Sequence, residues 1–416
     1  MYSDDGRRID YDYSWSEKLN KYFSQHRLHI EFVRDNVRSV PASIAVIPFL
    51  GNVLPMAWFI GFDVHVEEVD EDYFHSLEAF KKGFLLSHKL AIDKAGSLRY
   101  RKLVKNKIGG VNTALLYSGG VDSRFTLLHV AEENPLLITV HGADFHSSDT
   151  EQLKILEHTF SNDHLTGKFG RSVIRTNMRG FYTSRVNLLL SDCDWWGRVQ
   201  HGIGLISVVA PLAFVYNIAR LYIASSNTTA LNITWGSSKN QDEELSFAGM
   251  QVTHHGSEFS RVEKTRNIVK AAVSEHSSTL LKVCYKTTGY SLNCSKCEKC
   301  YRTMLTVILC GYDPRQLGFD VSDTFYDDVA KSLRKGFRSH FVAYFWWEIA
   351  EELRSKKGWL VLKDVAREQD QLQEIQRLIE KNMLRGVAEP SLIRRFSNQV
   401  RARFPRLYLG MIRLYK

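Results

Sequence analysis

The N-terminus lacks an apolar stretch: Met1-Tyr2-Ser3-Asp4-Asp5-Gly6-Arg7-Arg8 is polar and has no hydrophobic region of the kind a secretory signal needs. No internal repeat or low-complexity tract is visible, so neither a solenoid nor a compositionally disordered chain is expected. No glycine-rich turn runs into Gly-Lys-Ser/Thr, which excludes a Walker A loop. There is no N-terminal cysteine nucleophile, so no glutaminase of that kind is evident. The last 26 residues contain no acid, yet hold Arg394, Arg395, Arg401, Arg403, Arg406, Arg413 and Lys416. Such a run is a solvated helix face or an anion-binding tail able to meet nucleic acid.

Long charge-free runs are also scarce. One that approaches membrane-span length is 202–219. It is interrupted by Gly202, Gly204, Ser207, Pro211 and Asn217, and it leads into the strand-like Leu221-Tyr222-Ile223-Ala224. A helix buried against a parallel sheet is expected there, with no membrane span. These absences together predict a cytoplasmic protein.

The 416 residues suggest two or three domains. Hydrophobic content of 44% and charged content of 24% are ordinary for a globular chain. A formal charge of +9 tolerates an anionic partner without requiring one. Residues 1–108 read as a small α+β domain, with alternating runs at 28–33 and 64–69 and helical spacing across 73–89. From 109 to 314, short apolar strands (113–117, 135–140, 172–176, 220–225, 250–254) alternate with helical segments. That alternation predicts an α/β fold with a doubly wound parallel sheet. Residues 315–416 read as helical and basic, with helices over 322–333, 342–354 and 366–381.

The first strand ends in Tyr117-Ser118-Gly119-Gly120-Val121-Asp122-Ser123 and a helix begins there. Glycine lets backbone approach a phosphate and adopt conformations that a β-carbon forbids. Consecutive N–H groups at a helix N-terminus make an anion nest. Ser118 and Ser123 add hydroxyls. A carboxylate would repel phosphate, so Asp122 is expected to hold a Mg²⁺ ion that bridges the phosphates. The segment resembles the SGGxDS motif of the PP-loop ATP-pyrophosphatase superfamily at every fixed position. The resemblance implies ATP binding by residues 117–123, cleavage between the α and β phosphates, and transfer of AMP to a substrate.

Four of the six cysteines, Cys284, Cys294, Cys297 and Cys300, crowd into seventeen residues. Without a secretory signal, that clustering reads as metal binding rather than disulfides. Four thiolates satisfy tetrahedral Zn²⁺ with no open position, which marks a structural site. An iron–sulfur cluster takes the same donors. Zinc is favoured because no redox chemistry is otherwise signalled. Cys284 is expected at the end of a strand over 280–283. Cys193 and Cys310 stand apart as packing residues.

A second resemblance joins the two motifs. A PP-loop followed by Val283-Cys284-Tyr285 and then Cys294-Ser295-Lys296-Cys297-Glu298-Lys299-Cys300 is similar to the 7-cyano-7-deazaguanine synthases. The family's first gap is one residue shorter, and its arginine after the last cysteine stands one position further on than Arg302 does here. The likeness covers about residues 110–312 and is loose between the motifs. Here Ser225-Ser226-Asn227, Trp235-Gly236-Ser237-Ser238 and Asp242 stand near the family's substrate loop. The resemblance implies a ligase that forms C–N bonds, activating a small carboxylate or deazapurine-like acid as an adenylate with ammonia from solution or a partner. Related enzymes suggest a homodimer.

Other candidates follow strand ends, where ligands collect in open α/β sheets. Lys264 or Arg261 can neutralise pyrophosphate or a substrate carboxylate, and Lys264 is taken as the catalytic cation beside Asp122. The same stretch also fits a capping box of Ser260 and Glu263. His141 and Asp144 follow the second strand where a nucleotide base can rest, so His141 is taken as cofactor-binding. Asp149 fits a helix N-cap. Arg175, Asn177 and Arg179 follow the third strand, within reach of ATP or substrate. Two further functions remain open at this level: an ATP-dependent sulfurtransferase or other tRNA-modifying enzyme, and a non-catalytic nucleotide-binding protein.

Overall fold

In the computed structural model the described residues are 1–145, 147–192, 194–226, 228, 235–274, 279–284, 291–337, 339–355 and 364–387. The basic tail 391–416, Cys193, Asn227 and Tyr285 lie outside them. Among the described residues ten strands are formed: β1 (Arg8–Asp10), β2 (His29–Phe32), β3 (Val64–Asp70), β4 (Leu98–Val104), β5 (Asn112–Leu116), β6 (Leu136–His141), β7 (Arg171–Thr176), β8 (Ile218–Ala224), β9 (Ser246–Phe247) and β10 (Met250–His255). Eight make one sheet in the order β1-β2-β7-β6-β5-β8-β10-β9, and β3 and β4 pair separately in parallel.

The run β7-β6-β5-β8-β10 is parallel throughout. Its three central strands, β6, β5 and β8, are mainly apolar because both faces are covered. On β5, Ala114 and Leu116 enter one hydrophobic cluster while Leu115 and the following Tyr117 enter another. The same alternation separates Ile138 from Leu137, and Leu221 and Ile223 from Tyr222. The chain begins at the central β5, winds outward through β6 and β7, then returns to the far side through β8 and β10. That reversal opens a crevice at the carboxyl ends of β5 and β8. The α/β expectation, with a mostly parallel sheet, is met at this level.

From residues 1–108, strands β1 and β2 join this sheet, while β3 and β4 remain apart. Strand β2 pairs antiparallel with β7, placing Ile30 opposite Thr176 and Phe32 opposite Ile174. Residues from Ile9 to Val252 share one hydrophobic cluster. The charge-free run forms the helices His201–Val208 and Ala210–Val215, with Ile203, Ile206, Val208 and Leu212 fully buried. The stretch Trp196–Val215 is long and apolar enough to cross a membrane, but 72% of it is buried inside the chain. It packs on the helix Ile47–Ile60 at close range, where a β-carbon on Gly51 would meet the Ser207 hydroxyl at 2.0 Å.

Among the described residues after 315 the chain is helical as expected, with Phe325–Leu333, His340–Ser355 and Val365–Arg385 packed in an apolar cluster shared with Val121, Phe125, Val262 and Cys284. One local expectation fails: residues 280–283 join no strand. Their N–H groups find other acceptors, as buried backbone must. Leu280 donates to the Asp163 carboxylate, Leu281 to the Leu317 carbonyl, Lys282 to the Gly119 carbonyl and Val283 to the Asn293 side chain.

Candidate functional site: a glycine-rich loop joined to a cysteine quartet

Strand β5 delivers residues 118–123 to the crevice, and the helix Val121–Val130 starts inside the loop with Gly120 as its N-cap. Gly119 has φ +76°, and a β-carbon there would sit 2.6 Å from the Phe160 ring. Glycine is therefore required at this position. The loop closes on itself through the Ser118 and Ser123 hydroxyls, 3.3 Å apart, and the Ser123 hydroxyl donates to the Gly120 carbonyl at 3.3 Å. The first N–H groups of a helix have no intrahelical acceptor, so those here face the crevice end of the sheet. Tyr117 points the other way. It is buried against Phe160, and its hydroxyl accepts from Arg124 at 3.2 Å.

Asp122 is held by two cations from the helix Arg261–Ser274, which follows β10. The Arg261 guanidinium donates to its Oδ2 at 2.7 Å, and the Lys264 ammonium lies 3.6 Å from its Oδ1. Burial would raise the carboxyl pKa, but Arg261, Lys264 and Lys299 together reverse this and hold it below the usual range. Lys264 is only 2% exposed and donates to the Ser225 carbonyl at 2.6 Å. Burial pushes its pKa down, and Asp122 opposes the shift. Asp122 and Lys264 are thus brought together. The capping box forms at the same place: Ser260 N–H donates to the Glu263 carboxylate at 2.8 Å, and Glu263 N–H to the Ser260 hydroxyl at 3.1 Å.

The other candidates divide. His141 ends β6 and is 2% exposed, opposite Arg175 in register. Arg175 pairs with Glu31 at 3.2 Å, and Asn177 bonds the backbone of Arg27 and His29. Both are occupied in attaching β2. Arg179 donates to the Ala143 carbonyl at 2.7 Å and lies over the Trp196 ring. Asp149 caps the helix Thr150–Asn162 as expected. His254 and Asp242 form a buried pair at 2.8 Å, and Ser237 donates to the same carboxylate oxygen at 2.6 Å.

The four cysteines converge. Their sulfurs all lie within 4.8 Å of one another, with Cys284–Cys297 at 3.9 Å, Cys294–Cys300 at 3.8 Å and Cys297–Cys300 at 3.5 Å. A single ion with metal–sulfur bonds of about 2.3 Å needs tetrahedral edges of roughly 3.8 Å. Four thiolates bound to separate irons of a cluster would stand further apart. Cys297 is the N-cap of the helix Glu298–Leu309, and Cys300 lies in its first turn. Contact with the Cys300 sulfur pulls the Cys297 thiol down to about 4 and pushes Cys300 upward. The quartet can hold a metal such as zinc.

Two side chains missed at the sequence level build this site. Asn293 accepts the Val283 and Cys284 N–H groups at 2.9 and 3.2 Å and donates to the Leu281 carbonyl at 2.7 Å. It clamps the Cys284 segment to the loop carrying Cys294. Arg124, directly after the glycine-rich motif, is 1% exposed and forms a two-pronged pair with Asp163, both contacts at 2.8 Å. Asp163 also accepts from Leu280, so one carboxylate links the loop helix to the cysteine segment. The Lys282 bond to Gly119, at 2.8 Å, joins them directly. A charged residue directly behind the motif is visible in the sequence, but its partner 39 residues away is not.

Comparison with protein-family models, with curated proteins and with solved structures gives no match.

Proposed function

We propose that the chain is an ATP pyrophosphatase of the PP-loop type that activates a small carboxylate as its adenylate, releasing AMP and pyrophosphate. The observation that carries this reading is the position of residues 118–123. The loop stands at the reversal of strand order, opens a helix, and presents one carboxylate beneath two cations. A retired loop has no need to keep Asp122 buried against Arg261 and Lys264.

Each residue then has a task. Backbone N–H groups at the start of Val121–Val130 bind pyrophosphate oxygens. Ser118 and Ser123 add hydroxyl donors. The Asp122 Oδ1 atom is buried with no donor inside hydrogen-bond distance and faces the Lys264 ammonium at 3.6 Å, a place suited to a cation. Asp122 is accordingly the residue that would hold Mg²⁺, whose chemistry is to neutralise the bridging phosphates. Lys264 and Arg261 supply fixed positive charge where negative charge builds on the leaving pyrophosphate. The cysteine quartet would hold zinc in a structural role. Its junction with Gly119 through Lys282 makes it a support for the loop.

The likeness to 7-cyano-7-deazaguanine synthases supports a C–N ligase acting on a deazapurine or other biosynthetic acid. The test is release of pyrophosphate from ATP, measured across a panel of carboxylic acids, deazapurines and tRNA. Asp122→Asn should abolish release with unchanged circular dichroism. Undiminished release by that variant would sink the assignment, and release with tRNA alone would favour a tRNA-modifying enzyme.

A further inference from the structure

The helix His340–Ser355 belongs to the C-terminal third, to which the motifs give no role. Four of its side chains, Phe341, Tyr344, Phe345 and Glu348, share one helical face by their spacing. All four reach the crevice end of the sheet. The Phe341 ring meets Trp235 edge-on with centroids 4.9 Å apart. The Tyr344 and Thr228 hydroxyls are 3.0 Å apart. Glu348 accepts the Arg261 backbone N–H at 3.2 Å. The Arg261 guanidinium lies over the Phe345 ring, 4.7 Å from its centroid, and the Arg302 guanidinium lies 4.3 Å from the same centroid. The partners Thr228 and Trp235 follow β8, and Arg261 opens the helix after β10. The cavity at the Arg261–Phe345–Glu348 junction has room for about 10 Å³, one water at most, so this is a packed joint and not a ligand pocket.

Arg261 is therefore fixed at both ends. Glu348 holds its backbone at the helix start, Phe345 supports its guanidinium, and the guanidinium reaches Asp122. An aromatic face attracts a cation without consuming its N–H donors. Arg261 keeps donors for Asp122 in the protein alone, and for phosphate oxygens once a nucleotide arrives. A carboxylate in place of the ring would hold those donors back.

We propose that Phe345 and Glu348 are positioning residues that aim Arg261 at the glycine-rich loop, making the C-terminal helical region a working part of the nucleotide site. This rests on the reading that residues 118–123 bind ATP.

The experiment is calorimetric titration of the full-length protein with MgATP. Phe345→Leu keeps an apolar side chain but removes the ring, and Phe345→Tyr keeps the ring. A cation–π contact of about 0.5–2 kcal/mol predicts a dissociation constant about 2- to 30-fold weaker for the leucine variant. The tyrosine variant should bind like wild type, and the leucine variant should still unfold in one cooperative transition, at a somewhat lower temperature because the ring also supports Arg302. If the leucine variant does not fold, Phe345→Met serves the same comparison. Equal binding by the leucine and wild-type proteins, with binding lost in Arg261→Met, would overturn the proposal while leaving the nucleotide reading standing. Failure of wild type to bind MgATP would instead remove the nucleotide reading, and this proposal with it.

Discussion

The buried pair of Arg124 and Asp163 offers the sharpest physical test, because its two members are not equally replaceable. Each is about 1% exposed at the side chain. Asp163 accepts both prongs of the Arg124 fork and the N–H groups of Leu165, Thr166 and Leu280. Asp163→Asn turns an NH₂ toward donors, removes the charge paired with the guanidinium and leaves it one amide oxygen and the Tyr117 hydroxyl. Removing one partner of such a pair costs about 3–5 kcal/mol. Arg124→Met leaves Asp163 with three backbone donors that still stabilise its charge. The loss should then be nearer 1–3 kcal/mol, that of a partly unsatisfied buried group. Urea denaturation, followed by tryptophan fluorescence, measures both. Acid dependence supplies a second reading. Burial alone would raise the Asp163 pKa, but Arg124 and the backbone donors overturn that and hold it low. Its stabilisation is therefore complete above the unfolded carboxyl value of about 3.9, and is lost as pH falls through the lower folded value. The gap between wild type and Asp163→Asn should stay flat from neutral pH to about 5 and close only below about 4. Equal losses in the two variants, or a loss below about 1 kcal/mol for Asp163→Asn, would refute the reasoning that this carboxylate organises three chain segments.

Three further outcomes concern the cysteine site. Purified protein should carry one zinc per chain and no visible iron–sulfur colour. Cys297→Ser should lose the metal and lower the melting temperature, because metal-binding energy at such a site appears as folding energy; a folded, zinc-loaded variant lacking activity would make the cysteine catalytic instead. Asn293→Ala should destabilise by about 1–3 kcal/mol, since two buried N–H groups lose their acceptor, and should release zinc to a chelator faster than wild type; unchanged release would mean the asparagine does not hold the Cys284 segment.

Local sequence was enough for features set by near neighbours. The glycine-rich loop needs Gly119 at positive φ and a helix immediately after it, and both needs are written in six consecutive residues. The parallel strands were legible because burial on both faces leaves short, mainly apolar runs at β5, β6 and β8. The capping box of Ser260 and Glu263 spans three residues, and Cys294, Cys297 and Cys300 occupy one turn and its approach. Contacts across long chain separations were not legible. Arg175 and Asn177 looked like ligand contacts after β7, yet they bind residues 27–31, because only the assembled sheet puts β2 at that edge. The stretch 280–283 has strand composition, but it packs against the glycine-rich loop and the cysteine segment, so its N–H groups go to Asp163, Leu317, Gly119 and Asn293. The partners of Arg124 and Arg261 were likewise decided by packing. A buried cation must find a carboxylate or an aromatic face, but which one it finds depends on how the helices are stacked, and no local pattern encodes that.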